Sequence, residues 1–220
     1  MNNKILGVVL VLVFVLGIYL ALVIAPPGFD DSESEDLTAQ TQHMVWYPQA
    51  RALSDFSITQ HDGSSFTKQN LVNKWTLAFV GYTYCPDICP VTLSEINKVY
   101  PQLTENAVDK PLQIWFLSVD PKRDSIERLN EYINYFNPEF VAATGPHTEL
   151  FPLVRSMGMM YSLSESTDQP DYLVDHSASI VVINPDGNVV GRFKPKHVPG
   201  KLATSDVQQL LDDVPVLLGH

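Results

Sequence analysis

Residues 75–90 read WTLAFVGYTYCPDICP, and this stretch decides the fold. Its first part, residues 75–82, is a nearly continuous apolar and aromatic run, the pattern of a central strand buried on both faces. Pro90 then announces a helix, because a residue without an N–H is tolerated only in a first helical turn and pushes the residue before it out of the αR region. The expected N-cap is therefore Cys89, with the helix running from Pro90 or Val91. Cys85 and Cys89, the only two cysteines in 220 residues, stand where strand hands over to helix. Free N–H groups of a first turn favour thiolate, and three intervening residues still let two Cα atoms come within disulfide range. Two chemistries stay open: dithiol–disulfide cycling, or a thiophilic metal held with help from an oxygen or nitrogen ligand.

Outward from that stretch, strand and helix alternate. Ile96, Val99, Tyr100 and Leu103 recur at helical spacing; residues 113–119 form a second buried strand. A helix over 125–136 shows one apolar face through Ile126, Leu129, Tyr132, Ile133 and Phe136. A short strand over 140–143, a helix over 148–157 headed by His147, and a last helix over 205–211 complete the pattern. Asp62-Gly63 joins strands at 56–59 and 65–67 into an N-terminal hairpin, and Pro185-Asp186-Gly187-Asn188 joins 179–184 to 189–193 into a C-terminal one. This predicts an α/β, thioredoxin-like domain: a central sheet flanked by helices, with its reactive groups at the strand-to-helix corner where Cys85 falls.

The formal charge of −11 argues against nucleic acid and anionic lipid surfaces as partners. Residues 5–25 carry no charge and are rich in Leu, Val and Ile, enough to cross a hydrocarbon core of roughly 30 Å. A cleaved signal peptide is the competing reading, but the run exceeds a usual h-region and Ala25 is followed by Pro26-Pro27. Lys4 before the run keeps that side in the cytoplasm, and Asp30, Asp31, Glu33, Glu35 and Asp36 follow it. The expectation is a cytoplasmic stub and single-pass anchor over 1–25, its span over 5–25, in a bacterial inner membrane, an acidic flexible linker over 26–45, and a periplasmic domain over 46–220.

Two thiolates make an incomplete metal site. The candidate for a third ligand is His176, just before the 179–184 strand, where a thioredoxin-like fold brings its loop towards the cysteine corner. His43, His61, His147, His197 and His220 sit less favourably, in linker, turn, helix cap, loop and terminus. Taken alone, a single histidine reads as an ordinary surface or hydrogen-bonded residue. Met157, Met159 and Met160, next to a helix end, read as core filler.

Three motifs in this order, TYCPDICP (83–90), SVDPKRD (118–124) and VDHS (174–177), together resemble the Sco/SenC family of copper-binding assembly proteins. The resemblance covers about residues 50–212 and the anchor, and it singles out His176 from the other histidines. It implies a thioredoxin-like scaffold binding copper through Cys85, Cys89 and His176. It further implies delivery to the binuclear copper site of cytochrome c oxidase subunit II, with a periplasmic copper donor and a thioredoxin-like reductant as further partners. The chemistry agrees: two soft thiolates select Cu(I), an imidazole lets Cu(II) be held too, and a structural zinc site would demand four ligands.

The resemblance also places the SVDPKRD loop beside the metal, where Asp120 would orient a ligand or take part in transfer. Asp124 is expected to cap the following helix, Arg123 to pair with a carboxylate, and Tyr82 and Tyr84 to frame the site by packing. The alternative function is a thiol-disulfide reductase that keeps the cysteines of the oxidase copper site reduced. A peroxiredoxin-like peroxidase would use a single cysteine with an Arg and a Thr; Thr83 is available, but two close cysteines fit that chemistry poorly.

Overall fold

The computed structural model describes residues 12–16, 37–105, 110–163, 167, 171–196 and 206–219. In chain order the elements are β1 (Val45–Ala52), β2 (Ser57–Gln60), β3 (Ser65–Thr67), a 3-10 turn (Lys68–Leu71), β4 (Trp75–Gly81), α1 (Ile88–Thr104) and β5 (Leu112–Ser118). Then follow α2 (Ile126–Phe136), β6 (Val141–Thr144), α3 (His147–Ser156), β7 (Tyr161–Leu163), β8 (Val174–His176), β9 (Ile180–Ile183), β10 (Asn188–Phe193) and α4 (Val207–Leu218). Eight strands make one sheet in the order β1-β10-β9-β4-β5-β6-β2-β3, and β7 and β8 form a separate pair.

Strand β4 is buried at every residue, as its unbroken apolar run requires. It pairs in parallel with β5 from Trp75↔Leu112 to Gly81↔Ser118, and antiparallel with β9 on its other side. Ala78, Val80, Trp115 and Leu117 point to one layer of core, closed by Leu150, Leu153 and Val154 of α3. Phe79 and Phe116 meet on the opposite face, and α1 packs against α4. The two expected hairpins form, with Gly63 and Gly187 supplying the positive φ of +86° and +78° that their turns demand.

Four expectations are corrected. Helix α1 starts at Ile88 behind an Asp87 N-cap, so Cys89 lies in its first turn and Pro90 beside it. A first turn has no intrahelical partner for its N–H groups, so the proline loses nothing there. Ser125, whose hydroxyl accepts from the Arg128 N–H, caps α2 in place of Asp124. Pro146 is the N-cap of α3, and His147 is already helical. Helix α4 runs on through Pro215, because Leu210, Val214, Leu217 and Leu218 make a buried stripe at helical spacing.

The chain divides into two units, Met1–Leu37 and Thr38–His220. In the first, residues 12–16 are helical and exposed; the rest of the anchor expected over 5–25 lies outside the described residues. Among the described residues no helix is long and apolar enough to cross a membrane. The second unit takes in the last part of the stretch expected as linker. There the buried Asp213 carboxylate of α4 accepts the backbone N–H groups of Gln42, His43 and Met44 at 2.9, 2.8 and 2.7 Å. Replacing Asp213 with Ala leaves three donors without their acceptor. Thermal unfolding is expected to show a loss of about 2–4 kcal/mol, with faster amide exchange at residues 42–44.

Candidate metal centre

The centre is built on the end of β4. Past Gly81 the backbone turns, held by the Val119 N–H donating to the Gly81 carbonyl at 3.0 Å and the Cys85 N–H donating to the Tyr82 carbonyl at 3.2 Å. The first turn of α1 then returns Cys89 over the strand it has just left. Gly81 makes this return possible: a Cβ there would lie 2.6 Å from Cys89 Sγ and 2.7 Å from Phe116 Cε2. The sulfur rests on bare backbone, with no exposed surface, while Cys85 is half-buried.

His176 arrives from β8, where it pairs with Tyr161 of β7. Its Nε2 lies 3.5 Å from Cys89 Sγ and its Nδ1 lies 3.2 Å from the Ser177 carbonyl. A carbonyl only accepts, so Nδ1 donates to it, and Nε2 is the nitrogen turned towards the sulfurs. Phe79 and Tyr82 meet the imidazole ring edge-on at 6.1 and 5.9 Å. The ligand atoms of Cys85, Cys89 and His176 all lie within 4.8 Å of one another, the only such group of three among the described residues.

The two thiols are electrostatically unequal. Cys85 is brought down to about 4, first by the hydrogen bond from the Cys89 thiol, then by His176 and the N–H groups of Cys89 and Asp87, against the cost of its burial. Cys89 is pushed up, chiefly by burial and then by its coupling to Cys85. The reduced pair therefore carries one thiolate, on the accessible sulfur, and one proton, on the buried one.

Asp120 stands apart from the ligand atoms. It is buried, and its carboxylate accepts from Arg123 Nε and from the Tyr172 hydroxyl. Asp124 faces inward and fastens the root of the cysteine loop: it accepts from the Thr83 N–H at 2.9 Å, the Thr83 hydroxyl at 2.7 Å and the Ser118 hydroxyl at 2.5 Å. Burial holds its carboxyl above the usual range in spite of these donors. Arg128 adds an N–H to the Thr83 hydroxyl at 3.2 Å.

Sequence reasoning did not single out Gly81 or Tyr172, and it named Thr83 only for peroxidase chemistry, not as a tie of the cysteine loop. A glycine ending a buried strand just before a cysteine pair was the available signal for the first, since it marks close approach; the other two had none.

The remaining histidines are occupied elsewhere or lie outside the described residues. His43 meets Asp212, His61 the Ala142 backbone, and His147 the Tyr161 hydroxyl, while His197 and His220 are not among those described. Met157 and Met159 are buried as core filler; Met160 is exposed.

Fold and site together define a thioredoxin-like α/β protein with two thiols and an imidazole converging at the strand-to-helix corner. The chain belongs to the SCO1/SenC family, whose model matches residues 47–212. It is 35% identical over 159 residues to the mitochondrial SCO1 homolog 1 of Arabidopsis thaliana, covering 72% of this chain and 45% of that protein. The chain spans about half the length of the mitochondrial curated relatives it matches. Among solved structures, Arabidopsis thaliana ScoI with copper bound superposes with a TM-score of 0.63 at 34% identity, over 74% of this chain and 95% of that one. Bradyrhizobium japonicum ScoI with copper bound gives 0.62 at 30%, over 76% and 99%.

Two outcomes follow for the metal-free protein. Ultraviolet thiolate absorbance is expected to rise with a midpoint near pH 4, from Cys85. In Cys89→Ala the midpoint moves up, because its largest stabilising donor is gone. Gly81→Ala is expected to cost about 1–3 kcal/mol by overpacking and to speed alkylation of Cys89, read by denaturant unfolding and by peptide mapping after iodoacetamide.

Proposed function

We propose that this chain is a membrane-anchored copper metallochaperone that loads the binuclear copper site of cytochrome c oxidase subunit II. The observation that carries the reading is the convergence of Cys85, Cys89 and His176, with ligand atoms within 4.8 Å. Copper is the cargo. Two sulfurs suit Cu(I), and the Nε2 lone pair of His176 extends the donor set to Cu(II). Zinc held structurally would call for a fourth protein ligand. Three ligands leave a coordination position open, as a protein that must surrender its metal requires.

The chemistry of the chain's own residues follows from their burial. Cys85 offers a thiolate at neutral pH and needs no deprotonation to accept the ion. Cys89 loses its proton on metal binding, so uptake releases one proton. His176 supplies a neutral imidazole. Release proceeds by ligand exchange with the thiols of the acceptor. Oxidation to the Cys85–Cys89 disulfide consumes both sulfurs, so the reading includes a reductant, a thioredoxin-like protein, and a copper donor upstream.

Copper-bound structures of relatives at 34% and 30% identity support copper as the metal. The choice of oxidase subunit II rests on the family resemblance. The uncharged run over 5–25, with Lys4 before it and acidic residues after it, supports an anchor in a bacterial inner membrane and a periplasmic domain reaching its partner on the acidic stretch that follows the anchor.

One observation favours a second reading, a thiol-disulfide reductase for the same oxidase cysteines. The accessible Cys85 thiolate is poised to attack a target disulfide, and buried Cys89 to resolve the mixed disulfide. The full chain, purified reduced and anaerobic in mild detergent, separates the two. Titration with Cu(I) and Cu(II) is expected to give one copper per chain with sulfur-to-Cu(II) charge-transfer bands. His176→Ala should weaken Cu(II) binding by about tenfold or more and diminish those bands. Failure to bind copper, with rapid reduction of a model disulfide by the Cys85–Cys89 pair, would replace the chaperone by the reductase.

A further inference from the structure

The ligand cluster is assembled from two sheets. Cys85 and Cys89 follow β4, at the middle of the eight-stranded sheet, whereas His176 ends β8, which is laddered only to β7. Among the described residues no backbone ladder joins the β7–β8 pair to the main sheet. Residues 177–179 tether His176 to β9 beside β4, and within the play of that short link side chains fix the spacing between the imidazole and the sulfurs. Apolar packing of Tyr161, Tyr172 and Val174 supplies cohesion, but it is non-directional and sets no register.

A directional tie comes from the SVDPKRD loop. The Arg123 guanidinium lies 3.5 Å from the ring centre of Tyr172, 5.0 Å from that of Tyr84 and 5.4 Å from that of Tyr82. Tyr84 adjoins Cys85, Tyr82 touches the His176 ring edge, and Tyr172 stands just ahead of β8. Asp120 completes the arrangement by accepting from both Arg123 Nε and the Tyr172 hydroxyl. The Arg123 side chain is only 10% exposed and that of Asp120 1%, so the stack works with little screening. A flat, delocalised cation can lie among three rings while one edge serves a carboxylate; an ammonium cannot.

We propose that Arg123 is a positioning residue of the metal centre: stacked among Tyr82, Tyr84 and Tyr172 and paired with Asp120, it locks the His176 strand onto the cysteine loop. The inference rests on the reading of Cys85, Cys89 and His176 as copper ligands. Its competitor is bland: Arg123 and Asp120, three residues apart, merely close their own loop. Arg123→Lys separates the two, because lysine keeps the charge for Asp120 and gives up the planar stack.

The test uses the full chain, reduced and anaerobic. Arg123→Lys is expected to weaken Cu(II) binding by about three- to thirtyfold, and to add nothing further in the His176→Ala background. In the metal-free protein, amide exchange should quicken at residues 171–176 and stay unchanged in β4 and β5. Tyr172→Phe, which keeps the ring and loses the hydroxyl, should fall between wild type and Arg123→Lys. Equal losses with and without His176, or faster exchange throughout the domain, would reduce Arg123 to a general structural role and overturn the proposal, as would wild-type affinity in Arg123→Lys. If the wild type takes no copper, the chaperone reading fails. The exchange pattern then decides alone: an increase confined to 171–176 upholds the lock, and its absence refutes it.

Discussion

The parallel pairing of β4 with β5 is the constraint on which the rest depends. Seven matched positions, from Trp75↔Leu112 to Gly81↔Ser118, end both strands at the same level. The cysteine loop and the SVDPKRD loop consequently leave the sheet side by side, at the carboxyl ends of parallel strands, where α/β folds place their chemistry. Everything that follows is local fastening: the Val119 N–H on the Gly81 carbonyl, Ser118 and Thr83 on the same Asp124 carboxylate, Arg123 among the tyrosines. A slip of one residue in that register would turn every β5 side chain to the other face and carry its loop away from the sulfurs.

Within that frame the inequality of the two thiols follows from the depth of Cys89 and from the hydrogen bonds that Cys85 receives. The same geometry that lets Cys89 donate to Cys85 puts Cys89 against the sheet and out of water, so one sulfur is stabilised as thiolate by the other's retained proton. The glycine beneath the buried sulfur and the carbonyl behind His176 Nδ1 are small features, yet each removes an alternative: a side chain in the way in one case, an imidazole turned the other way round in the other.

What could be read in the sequence was whatever depends on neighbours along the chain. The buried runs of β4 and β5, the Asp-Gly turns, and the strand-to-helix position of Cys85 all announce themselves locally. Strand β1 did not, because it is an exposed edge strand with Pro48 within it and an interrupted register, so it shows no alternation. Asp124 was misread for the opposite reason. An acidic residue before a helix is a good cap, but Ser125 serves α2 equally well, and the buried loop root at Thr83 needed an acceptor more. The cation–π box around Arg123 was invisible, since its rings come from segments far apart in sequence and meet only in the folded chain.

Cys89 has no exposed surface, and this gives the centre a floor and a rim. The floor is the buried sulfur on its glycine; the rim is Cys85 and His176, both partly open to solvent. No approaching molecule can meet the floor first. If the centre passes copper on as proposed, the exchange would have a fixed direction: a newcomer's donor atoms would engage at the rim, the rim ligands would let go, and the bond to the deepest sulfur would be the last to break. Arrival would run the same path backwards, so the depth of one side chain would set the order of events in both directions.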